Sequence, residues 1–375
     1  MKLVRKNESG QILILVLILL ALGVMLVAPM LRLSYTGQKY NQIVEINTLN
    51  AYAADAGIEY CRYAIYNYPA EIQQSPLDED LVINGADVHV TAEWDYTASA
   101  YRINSTAGSA QRSVSIECLI VVDVGLFGNV IACDGNLEIT NCNFVNEDYP
   151  GESDVYTHGN IEITNSYIDG DVKASGTISY DVPTEITGEV IEGTVVLVFP
   201  TIDPQIHEDR AKLGGTWGTG TETYNTGDET LGPLYIDGDL RFGGGDDVVL
   251  AGTVYVTGNV DMGNADVTGF GDIVAEGDLY FNNYSYTVEN PVTLPLLMTV
   301  GAGKGIDLGN DRGDGTMAIL YAPSGEIHLG TVDVMGSVAA PLVTLNNASI
   351  EYPAELRGRA DLPGAGLDTV TYTFQ

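Results

Sequence analysis

Basic residues are scarce in this chain: 16 Lys and Arg stand against 51 Asp and Glu in 375 residues, a formal net charge of −35. A surface so negative repels phosphate backbones, which argues against nucleic acid as a partner. Histidine and cysteine are few as well, with four of each. His89, His158, His207 and His328 lie far apart without ligand spacing, and no HExxH, GxSxG or CxxC occurs. Gly301-Ala302-Gly303-Lys304-Gly305 lacks the hydroxyl residue that follows lysine in a phosphate loop, and it reads as a turn. The sequence thus offers no familiar metal, acyl-transfer or redox constellation. Charge is missing altogether from Ile12 to Leu31.

At 1.5 Å per residue that apolar run covers about 30 Å, the thickness of a bilayer's hydrocarbon core. Lys2, Arg5 and Lys6 precede it, so the N-terminus is expected in the cytoplasm and everything after Arg32 outside. The run is too long for a signal-peptide core and no small-x-small cleavage site follows it. Helical periodicity then continues through Leu33, Tyr40, Ile43, Val44, Leu49, Tyr52, Ala53, Ala56 and Tyr60 to about Tyr66, and Pro69 ends it. A helix over 11–67 would be about 85 Å long, half in lipid and half an amphipathic stalk, with Pro29 and Gly37 as kink points.

The basic leader, Gly10 at the membrane boundary, the uninterrupted apolar segment and YAADAGIEY at 52–60 together resemble type IV pilin-like proteins, specifically the PilX-type minor pilins. The resemblance implies cleavage by a prepilin peptidase between Gly10 and Gln11. It also implies an assembly helix that includes Leu15 and Pro29. Most pilins carry a glutamate at the fifth mature residue, which is Leu15 here, and this departure favours a minor or tip-type position over a shaft position.

Of the acidic residues only Glu8, Glu45, Asp55 and Glu59 precede Ala70. The rest fall on a soluble part whose first section, residues 70–122, reads as a small antiparallel unit. Val82, Val88, Val90 and Ala92, then Tyr101 and Ile103, then Val114, Ile116 and Cys118 alternate with polar neighbours. This helix-plus-meander order is similar to the pilin layout.

Beyond Asp123 a signature recurs, a Gly followed by a small or acidic residue and alternating aliphatics: GNLEIT at 135, GNIEIT at 159, GDLRFG at 238, GNVDMG at 258, GDLYFN at 277 and GEIHLG at 325 among others. Strands this short are stable when stacked as rungs of a parallel coil. Residues 123–375 are therefore expected to form a mainly-β domain, a parallel β-helix or solenoid of about ten rungs at about 20 to 25 residues each. A loop at 199–233, with one or two helical turns around Gln205–Leu213, interrupts it. The predicted organisation is a leader at 1–10, a transmembrane and stalk helix at 11–69, an α+β pilin-like part completed at 70–122, and the solenoid.

Two Asp/Gly clusters, 243–247 and 307–314, could offer oxygens to calcium, with Asp307, Asp311 and Asp314 as the ligands; no other cofactor is implied. Solenoids also house polysaccharide-cleaving enzymes, for which Asp246, Asp247, Asp261, Asp266 and Asp278 near Arg241 would be the acids. Cys61 with Cys118 would join helix to sheet and Cys133 with Cys142 would staple a rung, but the sequence leaves all three pairings, and free thiols, open.

The function expected from the sequence is that of a non-enzymatic pilin-like subunit displaying an acidic solenoid for adhesion. Its expected partners are the membrane, other pilin-like subunits, the assembly machinery and a surface or polysaccharide ligand. An anchored polysaccharide-active enzyme and a plain anchored structural protein are the alternatives.

Overall fold

A computed structural model describes residues 9–109, 112–146, 150–193, 198–200 and 202–374. Residues 1–8 of the expected 1–10 leader lie outside the described residues, as do the side chains of Gln11 and Asp314.

Helix α1, Ser9–Asn67, runs unbroken through Pro29 and Gly37, and a short α2, Pro69–Gln74, follows it. Four antiparallel strands come next: β1 Leu77–Ile83, β2 Ala86–Asp95, β3 Ala100–Ser109 and β4 Arg112–Asp123. Their period-2 pattern turns Val88, Val90, Ala92, Tyr101, Ile103, Ile116, Cys118 and Ile120 toward α1, where Ala53, Ala54, Ile58, Cys61 and Ile65 complete a separate core. Gly57 permits the close approach, because a Cβ there would lie 2.2 Å from Ser105 Oγ and 2.9 Å from Val90 Cγ1.

The C-terminal strand, Gly366–Phe374, does not belong to the solenoid, as the sequence reading had it. It pairs antiparallel with β4, from Gly366 opposite Asp123 to Phe374 opposite Ile116, and makes the fifth strand of the small antiparallel sheet. The solenoid is thus an insertion between two neighbouring strands of one sheet.

Between them the chain forms a three-sided parallel β-solenoid of about ten turns. The rungs are not stacked in chain order. Ile131–Cys133 is overlaid by Val155–Thr157, then by Val172–Ala174 and Val190–Glu192, which ends the stack on that side. The chain then crosses to the opposite end, where Thr216–Asn225 lies on Leu234–Arg241. From there it coils back through Val254–Val256, Ile273–Ala275 and Leu296–Thr299 until Val338 pairs with Ile131. The first rung in sequence sits in mid-stack against the last.

Glycine and the residue after it explain the recurrent signature. A Cβ on Gly159 would lie 2.4 Å from the Gly135 carbonyl oxygen, so stacked corners close only without side chains. The following Asn or Asp accepts the next rung's N–H: Asn160 N donates to Asn136 Oδ1 at 2.9 Å, 24 residues on, and Thr177 N donates to Asn160 Oδ1 at 2.9 Å, 17 residues on. Elsewhere Asn259 N donates to Asp239 Oδ1 at 2.8 Å, and Asp278 N to Asn259 Oδ1 at 2.9 Å. Paired rungs lie 16 residues apart at Glu326 and Leu342 but 27 apart at Leu279 and Ile306, so the expected 20 to 25 is missed on both sides because corner length varies. Inward aliphatics such as Ile161, Val172, Val254, Ile273 and Leu297 form one continuous spine.

The predicted loop at 199–233 is shorter than expected. Asp203 caps α3, Pro204–Lys212, by accepting from Gln205 N at 3.1 Å. The stretch from Thr216 on is the terminal rung, with Trp217 and Tyr224 in edge contact at 5.0 Å over the end of the core.

Candidate functional site

The N-terminal half of α1 is the first unusual surface. From Leu13 to Leu33 its large apolar side chains are exposed, Leu15 among them, and the helix is long and apolar enough to cross a membrane. Each such side chain left in water costs about 1.5–3 kcal/mol, so together they exceed the roughly 5–15 kcal/mol net stability of a domain. Lipid or other helices must cover them. The first buried residue among those described is Asn50, whose Nδ2 donates to the Arg112 carbonyl at 3.0 Å and marks where the helix meets its sheet. Gly10 and Gln11 lie in the first turns of α1, and Pro29 lies within its exposed part.

The cysteines are free and buried, so neither disulfide reading is present in this structure. Burial pushes the Cys61 thiol up to about 12 and raises Cys118, Cys133 and Cys142 as well, which leaves all four without thiolate character at neutral pH.

In the 307–314 cluster the Asp311 carboxylate is already engaged by the fold. Asp311 accepts from Gly313 N and Asp333 N, each at 2.8 Å, through both of its oxygens. Asp307 sits in a long strand, Ile306–Tyr321, opposite Tyr280 and His328. Among the described residues no group of three or more His, Cys, Asp or Glu is placed to hold a metal ion.

The acids considered for catalysis are spread along the coil in structural contacts. Asp246 accepts from Thr226 Oγ1 at 3.2 Å, Asp261 lies 3.7 Å from Arg241, Asp266 receives Arg312, and Asp278 receives Lys304 and Gly305 N, both at 2.9 Å. Asp247 is engaged through its backbone, its N–H donating to Asp228 at 3.0 Å. Lys173 bridges Asp154 and Asp171 at 2.7 and 3.0 Å. Burial opposes the charge on Asp171, but the Glu189 N–H and Lys173 outweigh it and hold its carboxyl below the usual range. His158 pairs with Asp134, and His89 lies 3.0 Å from Asp80.

A cleft of about 1110 Å³ opens where the root of α1 meets the side of the solenoid. Tyr68, Glu71, the 268–272 corner with Phe270, Arg210 of α3, Arg359 and Asp361 are among the residues that line it. Arg359 is 6% exposed, with Nε on Asp361 at 2.7 Å and Nη1 on the Leu294 carbonyl at 2.9 Å. Asp272 accepts from Leu296 N at 2.9 Å through one oxygen. Burial raises its carboxyl above the usual range, against the opposing pull of that N–H, His207 and Arg359. Burial lowers His207, whose Nδ1 is enclosed without a hydrogen-bond partner. Nothing in the sequence reading singled out this site. Its residues come from distant segments, and the only local signal is the Arg357-Gly-Arg359 pair in a chain poor in arginine.

No family model matches the chain, and no curated protein matches it. Among solved structures, the competence-associated pilin ComZ from Thermus thermophilus matches over 88% of this chain and 97% of that chain, at 11% identity and a TM-score of 0.23. A likeness this loose carries no argument about function.

Proposed function

We propose that the chain is a non-enzymatic type IV pilin-like subunit of minor or tip type, close to the PilX-type pattern, anchored by α1 and displaying an acidic β-solenoid at the cell surface. The observation that carries this reading is the division of α1 at Asn50: an exposed apolar half that needs lipid or neighbouring helices, and a half buried against an antiparallel sheet. A plain anchor needs only about 20 apolar residues; a 59-residue helix with an apolar half beyond its own domain suits transfer from bilayer to helix bundle.

In this reading prepilin peptidase removes residues 1–10, leaving Gln11 as the first residue. The Gly10 side of the helix faces the cytoplasm, and the solenoid, carried outside, makes the adhesive contact. Its carboxylates serve largely as rung acceptors and ion-pair partners, which favours display over turnover.

Mass spectrometry of the chain from its native host tests the reading. A mature N-terminus at Gln11 is expected, and an intact Met1 overturns it.

A further inference from the structure

Two exposed aromatic rings that the cores do not use line the cleft at the root of α1. Tyr68, 52% exposed, stands just past the end of the helix, and Phe270, 59% exposed, stands on a solenoid corner. Leaving a phenylalanine in water forfeits about 1.5–3 kcal/mol that burial would return. A planar apolar ligand face recovers it.

The polar lining has a definite sign. Glu71, Asp272 and Glu289 line the cleft against Arg210, while Arg359 and Asp361 are paired with each other through both carboxylate oxygens. The excess of carboxylate offers acceptors to hydroxyl and ammonium donors and repels anions. Two exposed rings and several carboxylate acceptors along one cleft, with a volume at or above the roughly 300–1,000 Å³ that holds a drug-sized molecule, suit several linked rings rather than one.

We propose that this cleft binds an oligosaccharide without carboxylates, neutral or amino-substituted, with Tyr68 and Phe270 packing on pyranose faces and the cleft's acids accepting from hydroxyl or ammonium groups. The proposal deepens the surface-subunit reading and rests on it for access to a glycan outside the cell. Uronate polymers are rejected by charge.

The test uses the full chain in lipid nanodiscs, titrated calorimetrically with chitotetraose, its fully deacetylated tetramer and tetragalacturonate. Binding of at least one of the first two and none of the third is expected. Phe270→Ala and Tyr68→Ala should each weaken binding about tenfold or more, with an unchanged thermal midpoint because both rings are exposed. Absence of binding by all three at millimolar concentration, equal binding of the uronate, or wild-type affinity in both variants overturns the proposal. The mature N-terminal mass of the native chain reads the pilin-like function separately, so a processed chain that ignores both glycans sinks the cleft proposal alone.

Discussion

The described residues fix both ends of the crossing from one end of the solenoid to the other, and shortening the chain between them should peel off a terminal rung. Val190–Glu192 closes one end of the stack, about seven rung steps from Ile273–Ala275, next to which Asp272 meets His207 of α3. At about 4.8 Å per step the axial distance is about 34 Å. The chain from Glu192 to Pro204, with the first helical residues to His207, has an outer reach of about 46 Å. Deleting residues 194–198 cuts that reach to about 29 Å, which is less than the span. The weakest attachment is the terminal strand, held by its pairing with Val172–Ala174, by Ile178 N on Glu192 at 2.8 Å and by Glu189 N on Asp171 at 2.8 Å. Its release should cost about 3–5 kcal/mol at about 1 kcal/mol per hydrogen bond. Inserting five Gly and Ser residues at the same place adds only loop entropy, about 0.3 kcal/mol. Hydrogen exchange read by mass spectrometry separates the two, since the deletion should strip protection from residues 190–192 and the insertion should not. Equal protection in both variants refutes the strap geometry.

Asp239→Ala removes the acceptor for Asn259 N and should cost about 1 kcal/mol in denaturant unfolding, whereas Asp239→Asn keeps the acceptor and should cost nearly nothing; equal losses would mean that charge, not the ladder, matters. Gly57→Val drives side-chain atoms into Ser105 and Val90 and should lower stability by about 1–3 kcal/mol, visible as a lower thermal midpoint. The raised carboxyl of Asp272 contributes stability at acid pH that is lost as pH climbs through its elevated value. Asp272→Asn should therefore match wild type in acid and melt higher at neutral pH, and a lower melting point at pH 7 would show the charged form to be stabilising.

The repeat was legible because each corner demands the same two things, a glycine with no Cβ and a carboxamide or carboxylate acceptor, as at Gly135-Asn136 and Gly159-Asn160. That sameness hid the stacking order. Any such corner can lie on any other, and nothing local says that Val338 meets Ile131 rather than starting a new layer. The Gly/Thr alternation of 216–225 resembled a loop because an end rung has a partner on one side only and needs few inward aliphatics. GLDTVTYTF reads as a strand, but its pairing with β4 depends on where the inserted domain returns the chain. The extent of α1 was readable because an uncharged apolar run and the spacing of its sheet-facing residues follow one another on a single helix. The cleft was not, because Tyr68, Arg210, Phe270 and Arg359 have no common spacing.

The permuted stacking follows from the insertion. A coil of about ten turns that ran in chain order would leave its two ends about 48 Å apart, yet the host sheet needs them at adjacent strands, with Asp123 opposite Gly366. Starting in mid-stack, running to one end, crossing over and coiling back places Ile131 and Val338 side by side. Both strands of attachment then emerge at the waist of the solenoid. The domain hangs by its flank, and that flank lines the cleft beside the end of α1 and α2. Tension on a ligand held there would pass to β4 and its C-terminal neighbour together. A solenoid joined at one end would load a single strand.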